Sequence, residues 1–304
     1  MLGSAFAACG GAKPDSGFEN PDGGGALGDG ASGGSLGGDG SGGGTGNQAG
    51  CSDAAKLVYV VDSTNGLHSF NPATLTFTTI GELHCPTSFG FDATPNSMAV
   101  DRSGTAWVNF SDGELFKVST SDASCTATSF DPSQNPSGGS HWGMAFSTNG
   151  ATSTDETLFT DPGDGSGDGT GLYSYDTAGN KLTKIGNFSD GLKGTEAELT
   201  GTGDGRLFAF LTTDPATVAE VTKTDGTTPS SAQAPLDGVS TGMAWAFSFW
   251  GGDFWLYTSQ NGVSSSVTQY KTSSDKSVTV VVNDTFFAIV GAGVSTCAPT
   301  APPR

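Results

Sequence analysis

Short strand-like runs recur along most of this 304-residue sequence at a nearly constant interval. Each run is rich in aromatic and β-branched residues and is bounded by Gly, Asp or Asn, as strands between turns are. Their central aromatic residues are separated by 48, 52, 49 and 47 positions, and they are Tyr59, Trp107, Phe159, Phe208 and Trp255. A period of about 49 residues with several short strands and no helical pattern is typical of β-propellers. Five copies therefore predict an all-β, five-bladed β-propeller. A two-sheet sandwich is the alternative, although it does not explain the regular period.

The end of the sequence predicts how the ring closes. Residues 286–292 have the pattern of another first strand, although no further blade follows them. The blade that begins at Lys56 lacks a first strand of its own. Pairing of these two segments would remove the open edges that natural β-proteins avoid. We therefore expect the C-terminal strand to join and complete the first blade.

Three methionines occupy one position in the repeat, just ahead of the marker strand. They are Met98, Met144 and Met243, and each is followed by alanine. A flexible thioether fills irregular gaps in a core. We therefore expect all three side chains to pack near the common axis of the ring.

The cysteines indicate an oxidising compartment. Five are present, with wide spacing and no CxxC, which does not suit a structural zinc site; they are Cys9, Cys51, Cys85, Cys125 and Cys297. If Cys9 has another role, four remain, and an even number is typical of disulfides. Four cysteines allow three connectivities. Ring closure brings Cys51 close to Cys297, so we predict that pair, which leaves Cys85 with Cys125.

The N-terminal segment resembles a targeting signal that is processed during export. Residues 6–10, with the sequence FAACG, resemble the lipobox of bacterial lipoproteins. The resemblance implies that Cys9 is lipidated and that residues 1–9 are the remnant of a signal peptide. Residues 10–50 consist mainly of Gly, Ser, Asp and Asn with almost nothing to bury, which predicts a disordered tether. Residues 51–304 then form the propeller domain.

In general layout the chain resembles the propeller lipoproteins of Gram-negative bacteria, many of which have no assigned activity. The resemblance covers nearly the whole chain, but the diagnostic kelch, WD40 and glycosidase motifs are missing. It implies an extracytoplasmic protein that is lipid-anchored to the outer membrane or displayed at the cell surface. Gly10 lacks the acidic character that retains such lipoproteins in the inner membrane, which favours the outer membrane.

The charge balance limits the partners. Acidic residues outnumber basic ones by 31 to 12, and the formal net charge is −19. Such a surface repels phosphate backbones, so we expect no binding to nucleic acid. Anionic lipid headgroups are disfavoured for the same reason, which leaves the lipid anchor as the only contact with a membrane. We expect a monomer whose partner is a glycan or an envelope protein.

Carboxylates near the ring axis are the residues that an enzyme would need, because some five-bladed propellers are glycosidases. Glycoside hydrolysis uses two carboxylic acids, one of them with a raised pKa. The candidates on first strands are Asp101, Glu196 and Glu198, and alternation directs Glu196 and Glu198 to the same side. A solvated or turn position is the alternative for all three. No nucleophile elbow, phosphate loop or HExxH motif occurs.

One glycine-rich loop is the candidate metal site. Residues 161–169 carry Asp161, Asp164 and Asp168, and oxygen-rich flexible loops suit calcium. The spacing is not that of an EF-hand, and a solvated acidic turn is the alternative. The connection into the same blade carries His141 and Trp142. We expect these two to bind a ligand, with Trp142 stacking on a sugar ring. The alternative is that Trp142 packs between blades.

The other histidines do not form a metal-binding motif. His68 lies in a third strand and is expected to be exposed, and His84 lies beside a cysteine in a loop. All the sequence features together favour a non-catalytic, lipid-anchored binding module at the cell envelope. A glycoside hydrolase or other carbohydrate-active enzyme is the first alternative, and a structural envelope protein is the second. Convergent axial carboxylates would favour the enzyme, whereas an apolar plug would favour binding.

Overall fold

The computed structural model describes residues 51–88, 93–136, 142–163, 171–189, 191–272 and 275–302. The strands, in chain order, are β1 (Val58–Asp62), β2 (Gly66–Asn71), β3 (Thr76–Glu82), β4 (Pro95–Val100), β5 (Thr105–Phe110), β6 (Leu115–Ser119), β7 (Cys125–Ala127), β8 (Gly143–Thr148), β9 (Glu156–Asp161), β10 (Leu172–Asp176), β11 (Lys181–Gly186), β12 (Ala197–Gly201), β13 (Leu207–Leu211), β14 (Thr217–Glu220), β15 (Gln233–Pro235), β16 (Ala244–Trp250), β17 (Asp253–Ser259), β18 (Ser266–Lys271), β19 (Val278–Val282) and β20 (Ile289–Val294). The helical elements in these ranges are single 3-10 turns at Ala54–Lys56, Pro132–Gln134 and Ser230–Ala232. No helix in them is long and apolar enough to cross a membrane.

The strands form five four-stranded antiparallel sheets, which are the blades of a five-bladed β-propeller. Blades 2 to 5 each take four consecutive strands, from β4–β7 to β16–β19, and blade 1 has the order β20-β1-β2-β3. Strand β20 pairs with β1, with Val58 opposite Val294 and Val61 opposite Gly291. The predicted fold and its closure by the C-terminal strand are therefore confirmed. The closing strand begins at Ile289, so the first three residues of the predicted segment, 286–288, belong to a loop.

Burial follows the position of a strand within its blade. All five residues of β1, of β12 and of β13 are buried. Inner strands are covered on both faces by neighbouring blades, so their sequences are almost continuously apolar. The described residues of the outermost strands β3 and β11 are all exposed or half-buried. This gradient explains why only the inner strands gave a strong signal in the sequence.

The described residues of the core form five apolar clusters, each of which lies between two adjacent blades. Strand β1 shows how alternation builds two of them. Tyr59 and Val61 pack toward blade 2, whereas Val58 and Val60 pack toward blade 5. Successive side chains of a strand point to opposite faces, so each inner strand contributes to two clusters.

The inner strands approach one another closely around the axis. A β-carbon on Gly143 would overlap the carbonyl oxygen of Ala197, and one on Gly201 would overlap the carbonyl oxygen of Phe146. Only glycine permits this contact between the backbones of β8 and β12. Blades 3 and 4 therefore meet backbone to backbone at the axis.

Both predicted disulfides are present. Cys51 is joined to Cys297 and Cys85 to Cys125, with Cα–Cα distances of 5.7 and 5.1 Å. The first bond joins the two ends of the described chain where β20 completes blade 1. The second ties the loop after blade 1 to the outer strand of blade 2.

The prediction for the methionines is correct for two and wrong for the third. Met98 and Met144 are completely buried on inner strands, but the Met243 side chain is 72 % exposed. The backbone explains the difference: Gly242 has a φ of 70°, and β16 begins only at Ala244. Met243 therefore belongs to the loop that enters blade 5 rather than to its inner strand.

Candidate functional site

The ring has two faces, which differ in the loops that form them. Loops between successive blades and loops that join the second and third strands of a blade share one face, called here the upper face. Hairpins that join first to second and third to fourth strands form the lower face. Strand β1 begins and β20 ends at the lower face, so the Cys51–Cys297 bond lies there. Binding groups usually lie in loops held by a rigid scaffold, so each face is a candidate.

Asp161, the first residue of the predicted calcium loop, is completely buried at the end of β9. Its Oδ1 accepts a hydrogen bond from the Gly171 amide and its Oδ2 accepts one from the Ala197 amide, both at 2.8 Å. The carboxylate thus fastens the loop of blade 3 to the inner strand of blade 4. In the described ranges no group of three or more His, Cys, Asp or Glu side chains is arranged to hold a metal ion. Asp164 and Asp168 lie outside these ranges, so the calcium site stays a prediction.

Glu198, on strand β12, is also completely buried, and the charge of Asp161 acts on it. Its Oε2 accepts a hydrogen bond from Ser97 Oγ of blade 2 at 3.0 Å. Burial raises the pKa of Glu198 well above its ordinary value; the bond from Ser97 opposes this rise and the charge of Asp161 adds to it. The arrangement favours a protonated Glu198.

The three first-strand acids are distributed between both ends of the ring. Glu196 lies near the upper end, where its side chain covers Gly163. Asp101 lies at the lower end and accepts hydrogen bonds from the indole of Trp107 and the amide of Thr105, both at 3.0 Å. Glu198 lies between these levels without exposure to solvent. The structure therefore does not place the three predicted carboxylates in one open pocket.

Trp142 lies in the core between blades 2 and 3. Its side chain has no exposed surface, and its ring meets Phe130 edge to face at a centroid distance of 4.9 Å. Neither face of the indole is exposed to a ligand in this arrangement. His141 lies outside the described residues, and a ligand-binding role for the pair stays a prediction.

The sequence did not predict a buried pair formed by His68 and Asp62 in blade 1. His68 was expected to be exposed, but it is buried, with Nε2 2.8 Å from Asp62 Oδ2 and Nδ1 3.1 Å from Thr79 Oγ1. Burial opposes ionisation of Asp62, but hydrogen bonds from His68 and from the turn at 64–66 outweigh it and lower its pKa. The His68 ring stacks on Phe287 at 4.2 Å. An Asp and a His on either side of a short hairpin turn are the signal that could have predicted this pair.

Three large apolar side chains project into solvent on the upper face around blade 5. Phe286, Met243 and Val263 are 87, 72 and 70 % exposed, and they are the most exposed large apolar residues that the structure describes. We call these three residues the apolar patch. They lie in three neighbouring loops. One leads into blade 5, one joins its second and third strands, and one leads from it to β20. A β-carbon on Gly262 would contact Met243 at 3.8 Å, so Met243 lies next to the turn that carries Val263.

Buried hydrogen bonds hold two of these loops together. The Thr285 amide donates to the Ser265 carbonyl at 2.9 Å, and the Ser265 amide donates to the Phe287 carbonyl at 3.0 Å. Ser265 Oγ accepts a bond from the Ile289 amide at 2.9 Å. Phe287 points inward and stacks on His68. The loop that presents Phe286 is therefore held by hydrogen bonds to Ser265 and by the stacking of its neighbour Phe287 on His68.

Phe286 combines high exposure with an unfavourable backbone conformation. Its φ is 65°, in the left-handed region, which costs a residue with a β-carbon about 1–2 kcal/mol. Asp284 Oδ1 accepts a hydrogen bond from the Phe286 amide at 2.7 Å and supports the turn. Glycine would satisfy this turn at no such cost. An exposed aromatic side chain at this position contributes little to folding and is a candidate for binding.

Comparison with known proteins does not assign a family. No protein-family model and no curated protein matches the chain. Among solved structures it is similar to the extracellular domain of a hybrid two-component system from B. thetaiotaomicron, with 12 % identity, a TM-score of 0.41 and coverage of 77 % of this chain and 29 % of the other. It is also similar to the Dos1 propeller, with 14 % identity, a TM-score of 0.39 and coverage of 75 and 56 %. A protein of unknown function from Bacteroides thetaiotaomicron shows 12 % identity, a TM-score of 0.42 and coverage of 73 and 57 %.

These similarities concern the fold alone. The chain spans less than two-thirds of the length of each of the three proteins. The absence of a family match agrees with the absence of a diagnostic motif in the sequence. The two disulfides independently indicate an oxidising and therefore extracytoplasmic location.

Proposed function

We propose that this chain is a non-catalytic, lipid-anchored module of the cell envelope that binds a partner through the upper face of its propeller. The observation that carries this proposal is the apolar patch: three exposed side chains on loops that are already held in place. A surface fixed before binding loses little conformational entropy when a partner docks. The largest apolar patch on the surface of a soluble domain is often an interaction site.

The use of the acidic residues supports binding rather than hydrolysis. Asp161 accepts two backbone hydrogen bonds, and Glu198 accepts one from Ser97 without exposure to solvent. A glycosidase needs its acid and its second carboxylate in contact with the sugar. In this fold the carboxyl groups of Asp161 and Glu198 instead connect blades 2, 3 and 4.

The position of Cys51 supports presentation of the upper face away from a membrane. Cys51 lies at the lower face, so a tether formed by residues 10–50 would leave the ring there. Forty-one flexible residues have an r.m.s. reach of about 35 Å. Lipidation at Cys9 would then hold the lower face toward the bilayer and leave the apolar patch accessible.

Two measurements on the full-length precursor in a Gram-negative host test this proposal. We expect palmitate labelling of the wild type and of Cys51→Ser, but not of Cys9→Ser, which should be released in soluble form. A photo-crosslinking residue at Val263 should give discrete adducts in the envelope, whereas one at Leu75 on the lower face should not. Unlabelled wild-type protein would contradict the anchor, and equal adducts at both positions would contradict binding through the upper face.

A further inference from the structure

The charges of the upper face are almost all negative. The loops that carry the apolar patch contain Asp237 and Asp284, both exposed, and no Lys or Arg. In the sequence of all the upper-face loops, Lys193 is the only basic residue. Lower-face hairpins carry several basic residues, among them Arg102, Arg206, Lys223 and Lys276. A partner that docks on the upper face therefore meets an apolar centre inside an acidic field.

Polar groups beside the patch already have hydrogen-bond partners in the loops that carry it. Asp284 Oδ1 accepts hydrogen bonds from Ser264 Oγ and from the Phe286 amide. Asn261 Oδ1 accepts one from the Val263 amide at 3.0 Å. A sugar needs outward-facing acceptors and donors for its hydroxyl groups, and these groups are turned to the backbone. The polar chemistry of the patch thus disfavours a glycan.

The side chains of the patch suit a protein surface instead. Phenylalanine and methionine are enriched in the cores of protein interfaces, where charged residues are depleted. Methionine also adapts its shape to irregular partners. An anionic lipid surface would be repelled by the acidic loops around the patch. Charge complementarity then requires a partner whose apolar contact is surrounded by basic residues.

We propose that Phe286, Met243 and Val263 form the docking site for a protein that presents an apolar side chain flanked by Lys or Arg. This proposal rests on the proposed function and specifies its surface and its class of partner. Phe286 is the main contact, because it is the most exposed of the three and hydrogen bonds to Ser265 hold its loop in place.

The chain offers a matched pair of variants for the test. Phe286 and Leu75 both have large apolar side chains and positive φ angles, 65° and 55°, but they lie on opposite faces. Glycine adopts this conformation freely, so Phe286→Gly and Leu75→Gly should both retain the fold. Each variant removes a large apolar side chain from a residue with positive φ, and only Phe286 belongs to the proposed site.

Random 12-residue peptides displayed on phage, selected on the immobilised full chain, test the proposal. We expect the enriched peptides to share an apolar residue with neighbouring Lys or Arg. Their affinity, measured by fluorescence anisotropy, should fall at least tenfold in Phe286→Gly, remain unchanged in Leu75→Gly and weaken as salt is added. Enriched peptides without basic residues, or peptides that bind both variants equally, would overturn the proposal.

The same variants separate failure of the docking site from failure of the proposed function. Peptides that bind Phe286→Gly as well as the wild type would leave the binding module intact but place its site elsewhere. Glycan-array binding that depends on Phe286 would overturn the protein partner while retaining the surface. Absence of binding to peptides and glycans, together with absence of adducts at Val263, would overturn both.

Discussion

The upper face has two sides that use their residues in opposite ways. Around blade 3, acidic side chains that the sequence would place in solvent are buried: Asp161 at the upper face and Glu198 between the two faces connect neighbouring blades. Around blade 5, apolar side chains that the sequence would place in the core are exposed, with Phe286 as the extreme case. The difference shows that a residue type identifies a site only when its partners are known. A carboxylate with two amide donors stabilises the fold, whereas a phenylalanine that is 87 % exposed is available for binding.

The largest loss of stability is expected when the buried carboxylate of Asp161, on the blade 3 side, is removed. Asp161→Ala leaves the amides of Gly171 and Ala197 without their acceptor in a buried site. An unsatisfied buried donor costs about 1–3 kcal/mol, so the free energy of unfolding should fall by about 3 kcal/mol. Urea unfolding measures it, and Asp237→Ala, which removes an exposed acid, should leave stability unchanged. A stable Asp161→Ala variant would show that this side is not structural.

On the blade 5 side, two adjacent phenylalanines should respond differently. Phe287→Ala removes the ring that stacks on His68 and should lower the free energy of unfolding by about 2 kcal/mol. Phe286→Ala removes an exposed ring and should change it by less than about 0.5 kcal/mol. Thermal unfolding of both variants checks the contrast. Equal losses would mean that Phe286 contributes to the core and is not available for binding.

The pH dependence of stability should report the buried acid. The pKa of Glu198 is raised in the folded state, so its contribution to stability is fully present below the unfolded value, about 4.3. It is lost as the pH rises through the higher folded pKa. Glu198→Gln should therefore flatten the fall in unfolding free energy between the unfolded and the folded pKa. Glu82→Gln, on the exposed strand β3, is the control that should keep the wild-type slope. Parallel curves for all three proteins would contradict the inferred protonation.

The smallest effect concerns the predicted calcium loop. Extracellular sites bind calcium with dissociation constants of about 0.1–1 mM, so 10 mM calcium should raise the melting temperature by about 4 °C. Asp164→Ala combined with Asp168→Ala should abolish the rise. Asp214→Ala with Asp237→Ala removes two exposed acids elsewhere and should preserve it. Identical melting of the wild type in calcium and in chelator would rule out the metal at this loop.

The fold was more predictable than the site because it depends on many residues at once. Five repeats and the missing strand of blade 1 determined the ring, its closure and the Cys51–Cys297 bond. The exposure of a single loop residue depends instead on tertiary contacts, and these contacts leave no periodic pattern in the sequence. Phe286 matched the pattern of a strand, but hydrogen bonds between Ser265 and Thr285 turn the chain before β20 begins. Met243 matched the other methionines, but the turn at Gly242 directs it outward.

The bond between Cys51 and Cys297 also determines how the ring responds to mechanical force. Tension on the chain ahead of residue 51 reaches β1 directly and reaches β20 through the disulfide. These strands are antiparallel, and the loaded ends, at Val58 and Val294, lie side by side. Both strands are therefore pulled in one direction, and the hydrogen bonds between them bear no shear. Without the disulfide the same tension would draw β1 alone from between its two neighbours. With it, blade 1 resists as one body, and its contacts with blades 2 and 5 carry the load.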